Sequence, residues 1–458
     1  MPPFLAAFIC ILFILYLLWT DSKHGNEHST ALWIPFLWMF FAGSRAASAW
    51  LNLRPPLSSA SAIADGSPLD RAVFLLLIVA GALVLSRRKI DWKQLLAQNK
   101  WIVLYYLYCL SSITWADDPF VLFKRWIKEL GNPIMALVLL TERRPYEATG
   151  ITLRRIGFVL LPLSILFIRY FPELGRDYHN DGTPMYTGVG NQKNDLGQLC
   201  LVTGLYFSWK LLRLREESFK ARDMAVRDIL IIALLVYLLY LSNSQTSLSC
   251  LVVGVGLFLV GRMAFIAKKP SRIVPFLVFA TLVVCVLEAT LDLKALVFEL
   301  LGRDPTLTNR TDLWELLLGL GTNPYIGTGF MSFWSGERLE FIWTATSHGL
   351  NQAHSGYLEQ YLNLGYIGLA CIGLIAVSGL LKVRRQLDSD PAPAMLRLSF
   401  IVTAVFYNYT EAAMFGINNM WFLLLLACID ISGQQAGKPV SQVRASIRQT
   451  GLGSPRFK

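Results

Sequence analysis

Residues 3–19 read PFLAAFICILFILYLLW, an unbroken apolar run with no charged side chain. As a helix it rises about 26 Å, close to the ~30 Å hydrocarbon layer of a bilayer. Apolar on every side, such a helix has no face to offer water. A helix also satisfies its own backbone hydrogen bonds in lipid, which an isolated strand does not. The run has no basic segment ahead of it and no small-residue cleavage site behind it, and is read as a retained span rather than a signal peptide.

Runs of the same kind recur outward from there, near 32–48, 71–86, 102–116, 127–141, 156–170, 195–212, 228–241, 246–265, 274–290, 357–381, 397–412 and 415–431. With the first they make thirteen. The whole chain is 54% hydrophobic and 16% charged, with a mean hydropathy of +0.47, outside the balance of a soluble domain. Long continuous runs exclude the short alternating segments of a membrane barrel. The net charge of +11 is spread over loops between spans instead of gathered in one patch, so no nucleic-acid partner is expected. Basic loops such as Arg87, Arg88 and Lys89, or Lys382, Arg384 and Arg385, all fall on one side of a thirteen-span arrangement. That side is predicted to be cytoplasmic and to hold the C-terminus. The cysteines all lie inside apolar runs without CxxC spacing, so neither a disulfide framework nor a metal site is expected.

On the opposite side lie two segments of unusual content, a smaller loop near 171–194 and the long hydrophilic loop 291–356. The chain therefore divides into N-terminal helices over 1–290, the large loop 291–356, C-terminal helices over 357–431 and a basic tail 432–458. Chemistry is sought on the loop side. In "NQAHSGYLEQY", His354 stands just before Tyr357 and the span that Tyr357 begins, where a neutral imidazole suits a general base. A solvated loop histidine is the alternative, and it is the reading given to His179 and His348. In "LTNRTDLW", Arg310 offers a bidentate fork suited to a diphosphate; headgroup contact or a pair with Asp312 are its alternatives. Lys193 and Asn194 in "GNQKNDLG" open a helix whose N-terminal amides attract anions, unless Asn194 or Asp195 simply caps it.

Charges in or beside spans are costly unless paired or facing a polar cavity. Arg45, Lys124, Arg125, Lys128 and Glu411 qualify. The three cations of "FKRWIKE" enter from the side that positive charge usually avoids, so they serve either an anionic ligand or snorkelling to headgroups. Arg176 in "ELGRDY" is a further cation on that side.

"TNRTDLW" followed by "AHSGYLEQYLNLGYIG", together with "SNSQTSL" near Gln245, "GNQKNDLG" and the early "ALWIPFLWMFFAGSRAASAWL", resembles the O-antigen ligase and polymerase family. The resemblance implies an all-α polytopic membrane protein of about 12–13 transmembrane helices with one large, partly helical periplasmic loop, a GT-C-like arrangement. It implies a glycosyltransferase of the bacterial inner membrane that moves a glycan from undecaprenyl diphosphate onto a glycan or lipid-linked acceptor, without metal or nucleotide sugar. Other polysaccharide assembly proteins are its expected partners. By the same resemblance His354 is the base and Arg310 binds the diphosphate. The family pattern has a second arginine where this chain has Gln245, whose neutral amide can bond a phosphate but supplies no charge, so either Lys193, Lys124, Arg125 or Arg45 is expected to compensate or the donor is held in another geometry. Asn194, Tyr357, Arg176 and Glu411 complete the expected substrate site. A polymerase is favoured over a ligase acting on lipid A-core. Two readings of other classes stay open: a flippase for a lipid-linked glycan, which needs no base, and a sensor or scaffold that uses the large loop as a ligand-binding module.

Overall fold

The computed structural model describes residues 1–22, 29–51, 67–178, 182–213, 220–291, 310–346 and 350–431. The tail 432–458, residues 292–309 of the large loop, His179 and His348 lie outside the described residues. Long helices among them are α1 (Pro3–Ser22), α2 (Trp33–Ala42), α3 (Pro68–Ser86), α4 (Lys100–Ser111), α5 (Pro119–Glu129), α6 (Gly131–Leu140), α7 (Pro145–Tyr170) and α8 (Lys193–Arg213). There follow α9 (Lys220–Ser242), α10 (Gln245–Gly261), α11 (Ile273–Leu291), α12 (Arg310–Gly319), α13 (Gly336–Thr346), α14 (Gly356–Leu387), α15 (Pro391–Tyr407) and α16 (Asn419–Cys428). One antiparallel hairpin, β1 (Arg176–Tyr178) against β2 (Pro184–Tyr186), sits between α7 and α8.

Among the described residues five segments are long and apolar enough to cross a membrane: Pro3–Ser22, Pro68–Ser86, Pro145–Tyr170, Pro270–Glu288 and Gly356–Leu387. Their exposed faces are apolar, for example Phe4, Phe8, Leu76 and Phe279, as lipid contact requires. The chain is an all-α polytopic membrane protein. By contrast α16 is buried at every position, so this short apolar helix packs inside the bundle.

Three breaks shape the bundle, each for a visible reason: two interrupt runs that the sequence suggests are continuous, and one falls between the runs 397–412 and 415–431. The run 127–141 splits between Glu129 and Gly131 into amphipathic α5 and apolar α6. A Cβ at position 131 would lie 2.0 Å from the Trp38 ring, and Trp38 donates to Asn132 Oδ1 at 2.9 Å. Glu129 closes the junction. Its carboxylate accepts from Tyr106 Oη at 3.2 Å, Asn132 Nδ2 at 3.0 Å, the Gly416 amide at 2.8 Å and Trp421 Nε1 at 2.6 Å. An ionised carboxylate only accepts, so four donors satisfy it in the interior.

The second break separates α15 from α16. Asn408 ends α15 by donating to Ala404 O at 2.8 Å while its Oδ1 accepts the Ala413 amide at 2.8 Å. Residues 408–418 are thus a turn and not the end of a span, and Glu411 lies on it. The third break is Gly365, with φ 64° and ψ −163° inside α14, a conformation reserved in practice for glycine. The carbonyls it orphans are taken from the side: the Thr328 amide donates to Leu362 O at 3.1 Å and the Gly329 amide to Asn363 O at 2.8 Å. Tyr108 Oη donates to Leu364 O at 2.9 Å. Beyond the break, the Tyr366 and Ile367 amides donate to Pro324 O at 2.8 Å and Tyr325 O at 3.2 Å. The large loop is in this way fastened to α14. Helices α12 and α13 of its described residues add a small apolar core that includes Leu317, Phe333, Ile342, Ala353 and Leu362.

Candidate functional site

Four side chains from distant parts of the sequence meet at the turn 408–411. Asn194, second residue of α8, donates to Glu411 Oε1 at 2.9 Å. Arg310, first residue of α12, lies 3.3 Å from the same oxygen through Nη2 and donates to the Thr410 carbonyl through Nη1. His354 places Nδ1 4.0 Å from Glu411 Oε2. The turn is held against α14 by the Gly356 amide, which donates to Asn408 O at 2.9 Å and Glu411 O at 3.0 Å. The Thr246 and Thr410 hydroxyls, 2.7 Å apart, join it to α10.

His354 has φ 52°, a left-handed conformation uncommon for residues other than glycine and concentrated at functional sites. Its Nδ1 is buried and has no hydrogen-bond partner among the described residues, and the atom lies 4.0 Å from the Glu411 carboxylate, just beyond bonding distance. Such contacts are often long in the absence of substrate and tighten in the reacting complex. With a proton on Nδ1 directed at Glu411, the Nε2 lone pair is left to act as a base. Glu411 therefore has two neighbours that a charge change would affect, the imidazole and the Arg310 guanidinium.

A cavity of about 500 Å³ adjoins this constellation. Gln352, Gln192 and Ala412 in its lining are near neighbours in sequence of His354, Asn194 and Glu411. Lys124, Arg125 and Lys128 line it from α5 and Arg71 from α3, with Trp334 on the loop side. Arg125 also donates to Met331 O. Burial pulls the Arg125 guanidinium below its ordinary pKa and Asp118 opposes that shift, so an entering anion would offset the cost of this charge.

The other sequence candidates are placed differently. Arg45 donates to the carbonyls of Gly190 at 3.2 Å and Leu174, binding the hairpin region to α2. Arg176 Nε donates to Ile168 O at 2.8 Å and its guanidinium lies over Tyr186. Tyr357 Oη donates to Val405 O at 2.8 Å. These three engage the protein's own backbone. Gln245 is exposed, its amide on Asn243 Oδ1 at 3.1 Å, while its neighbour Thr246 reaches the turn. Lys193 begins α8 beside Asn194 and is half-buried. Asp195 Oδ2 accepts the Asn191 amide at 3.0 Å and the Gln192 amide at 3.2 Å, so the amides leading into α8 already have an acceptor. The pair of Arg310 with Asp312 gives way to the pair with Glu411. Sequence reasoning passed over Thr246, Thr410 and Arg71, of which the first two gave a signal as polar side chains at the ends of apolar runs; Trp334 is among the loop aromatics that the sequence offers for stacking on a sugar ring, and it lines the cavity.

Two comparisons bear on this geometry. Residues 230–373 match the O-antigen ligase family. The matched segment contains Arg310 and His354, while Asn194, Glu411 and the cavity cations of α5 lie outside it. The chain is also 26% identical over 326 residues to the exopolysaccharide production protein ExoQ of Rhizobium meliloti (strain 1021), covering 68% of this chain and 72% of that protein. No solved structure matches the chain. Both matches support a function of the O-antigen ligase and polymerase kind in a multi-pass membrane protein.

Proposed function

We propose that the chain is a glycosyltransferase that polymerises an exopolysaccharide or O-antigen from glycan carried on undecaprenyl diphosphate. The reaction takes place at the periplasmic face of the bacterial inner membrane, with the C-terminus cytoplasmic. The observation that carries the reading is the convergence of His354, Arg310 and Asn194 on Glu411. His354 Nε2 removes the proton of an acceptor sugar hydroxyl, and the oxygen forms a bond to the anomeric carbon of the donor. The bond from that carbon to the diphosphate oxygen breaks, and the diphosphate leaves with the electron pair. Arg310 offsets the charge that develops on it, and Glu411 stabilises the imidazolium. Lys193, beside Asn194, is the nearest cation by sequence to take the part of the arginine missing at Gln245. Each of the base and the charge stabiliser supplies roughly two to four orders of magnitude in rate.

The similarity to ExoQ supports polymerisation over ligation to lipid A-core. Chain-length analysis of the polysaccharide tests the reading, in cells lacking the native protein and complemented with wild type, His354→Ala or Arg310→Ala at matched membrane levels. Wild type is expected to restore long chains and both variants to leave single lipid-linked repeat units. Normal chains from both variants would return the protein to the flippase or scaffold classes.

A further inference from the structure

The cavity beside His354 has a composition that the transfer reaction itself does not require. Lys124 and Lys128 stand one helical turn apart on α5, about 6 Å along its axis, with Arg125 between them in sequence. Lys128 is exposed and lines the cavity, with its ammonium 4.9 Å from the centre of the Phe74 ring. Acids also line the walls, and Asp70 and Glu129 lie near enough to act electrostatically on Lys128, while the oxygens of all three wall acids take hydrogen bonds from neutral donors. Glu129 has its four donors, and Glu359 accepts from the Ala353 amide at 2.6 Å and Trp334 Nε1 at 3.0 Å. Asp70 accepts from the Ser48 amide at 2.8 Å and the Ser48 hydroxyl at 2.6 Å.

Resting on the glycosyltransferase reading, we propose that this cavity is a subsite for the glycan and selects sugars that carry carboxylates, so that the product is an acidic polysaccharide. Three observations favour a glycan over the diphosphate as occupant. The cations are strung along a helix face, whereas a diphosphate is held by donors converging on one point. Asn351, Gln352 and Trp334 supply amides for hydroxyl groups and an aromatic face for a sugar ring. A volume of about 500 Å³ is that of a site for a ligand much larger than two phosphates. Ala353, whose amide binds the cavity wall at Glu359, precedes His354, so a sugar bound here leads directly to the base.

Binding of trigalacturonate and of its neutral methyl ester to the purified full-length protein in detergent tests this, with inorganic diphosphate as a third probe. Wild type is expected to bind the acid at least about tenfold more tightly than the ester, the worth of one charge-assisted hydrogen bond. The preference should fall severalfold in Lys124→Gln and in Lys128→Gln, each checked to be monodisperse, and persist in His354→Ala. Equal binding of acid and ester overturns the proposal, as does a preference that both lysine variants retain. Diphosphate that displaces the trimer and loses affinity in the same variants also overturns it, because the cavity would then seat the donor's leaving group. The glycosyltransferase reading fails separately: should acid be preferred while His354→Ala still makes normal long chains, the subsite stands and the assigned base does not.

Discussion

At the residue scale the unusual member of the site is Glu411. Its carboxylate holds Asn194 and Arg310 and faces the His354 ring, so one side chain sets the positions of both the proposed base and the cation proposed to bind phosphate. Glu411→Gln keeps the shape and removes the charge. It is expected to lower kcat by one to two orders of magnitude, part of the general-base contribution, and to change KM for the lipid-linked donor by less. Steady-state kinetics on reconstituted protein separates the two, and an unchanged kcat would remove Glu411 from the mechanism. Asn194, His354 and Glu411 are visible in the sequence as polar groups where an apolar run begins or ends, and Arg310 as a cation within the long loop. Their meeting is not, because Arg310 follows a stretch of loop whose path no local pattern dictates. Arg45, Arg176 and Tyr357 show the same limit from the other side: a cation or phenol beside a span reads alike whether it will bind a ligand or a backbone carbonyl, and these three bind carbonyls.

At the element scale, the helices were legible and their breaks were not. An apolar run is a local property, and a helix is the local answer to lipid. A break such as Gly365 depends on partners over thirty residues away, Thr328 and Gly329, which take the carbonyls it exposes. Glycine alone gives no such warning in a span where small residues are common. At this position a Cβ would sit 2.2 Å from the Tyr325 carbonyl carbon, and the backbone conformation excludes other residues. Gly365→Ala is therefore expected to cost about 1–3 kcal/mol from the backbone alone, with the clash in addition. Reversible unfolding in detergent measures it, and stability equal to wild type would mean that the break is not maintained in solution. The helix end at Asn408 was equally hidden, because this side chain closes α15 through the Ala413 amide on the far side of the turn.

At the scale of the whole molecule, charge buried far from the site joins the first helix to the bundle. Asp21 of α1 accepts Arg154 Nε at 2.6 Å and Arg155 Nε at 3.1 Å, both from α7. Removing one partner of a buried pair leaves an uncompensated charge and costs about 3–5 kcal/mol. Asp21→Asn should accordingly lower the yield of monodisperse protein after extraction, and Asp21→Asn with Arg154→Met should lower it less. Equal losses in both would show that α1 is held by apolar contact alone. The loop that carries Arg310 and His354 is bound to α14 by main-chain hydrogen bonds on both sides of Gly365. The entropy of ordering that wall is spent when the protein folds and not when sugar arrives. For the proposed polymerase, which would repeat one transfer on a lengthening chain, every cycle would then begin from the same ordered template, and the slow steps would be left to the movement of polymer and lipid.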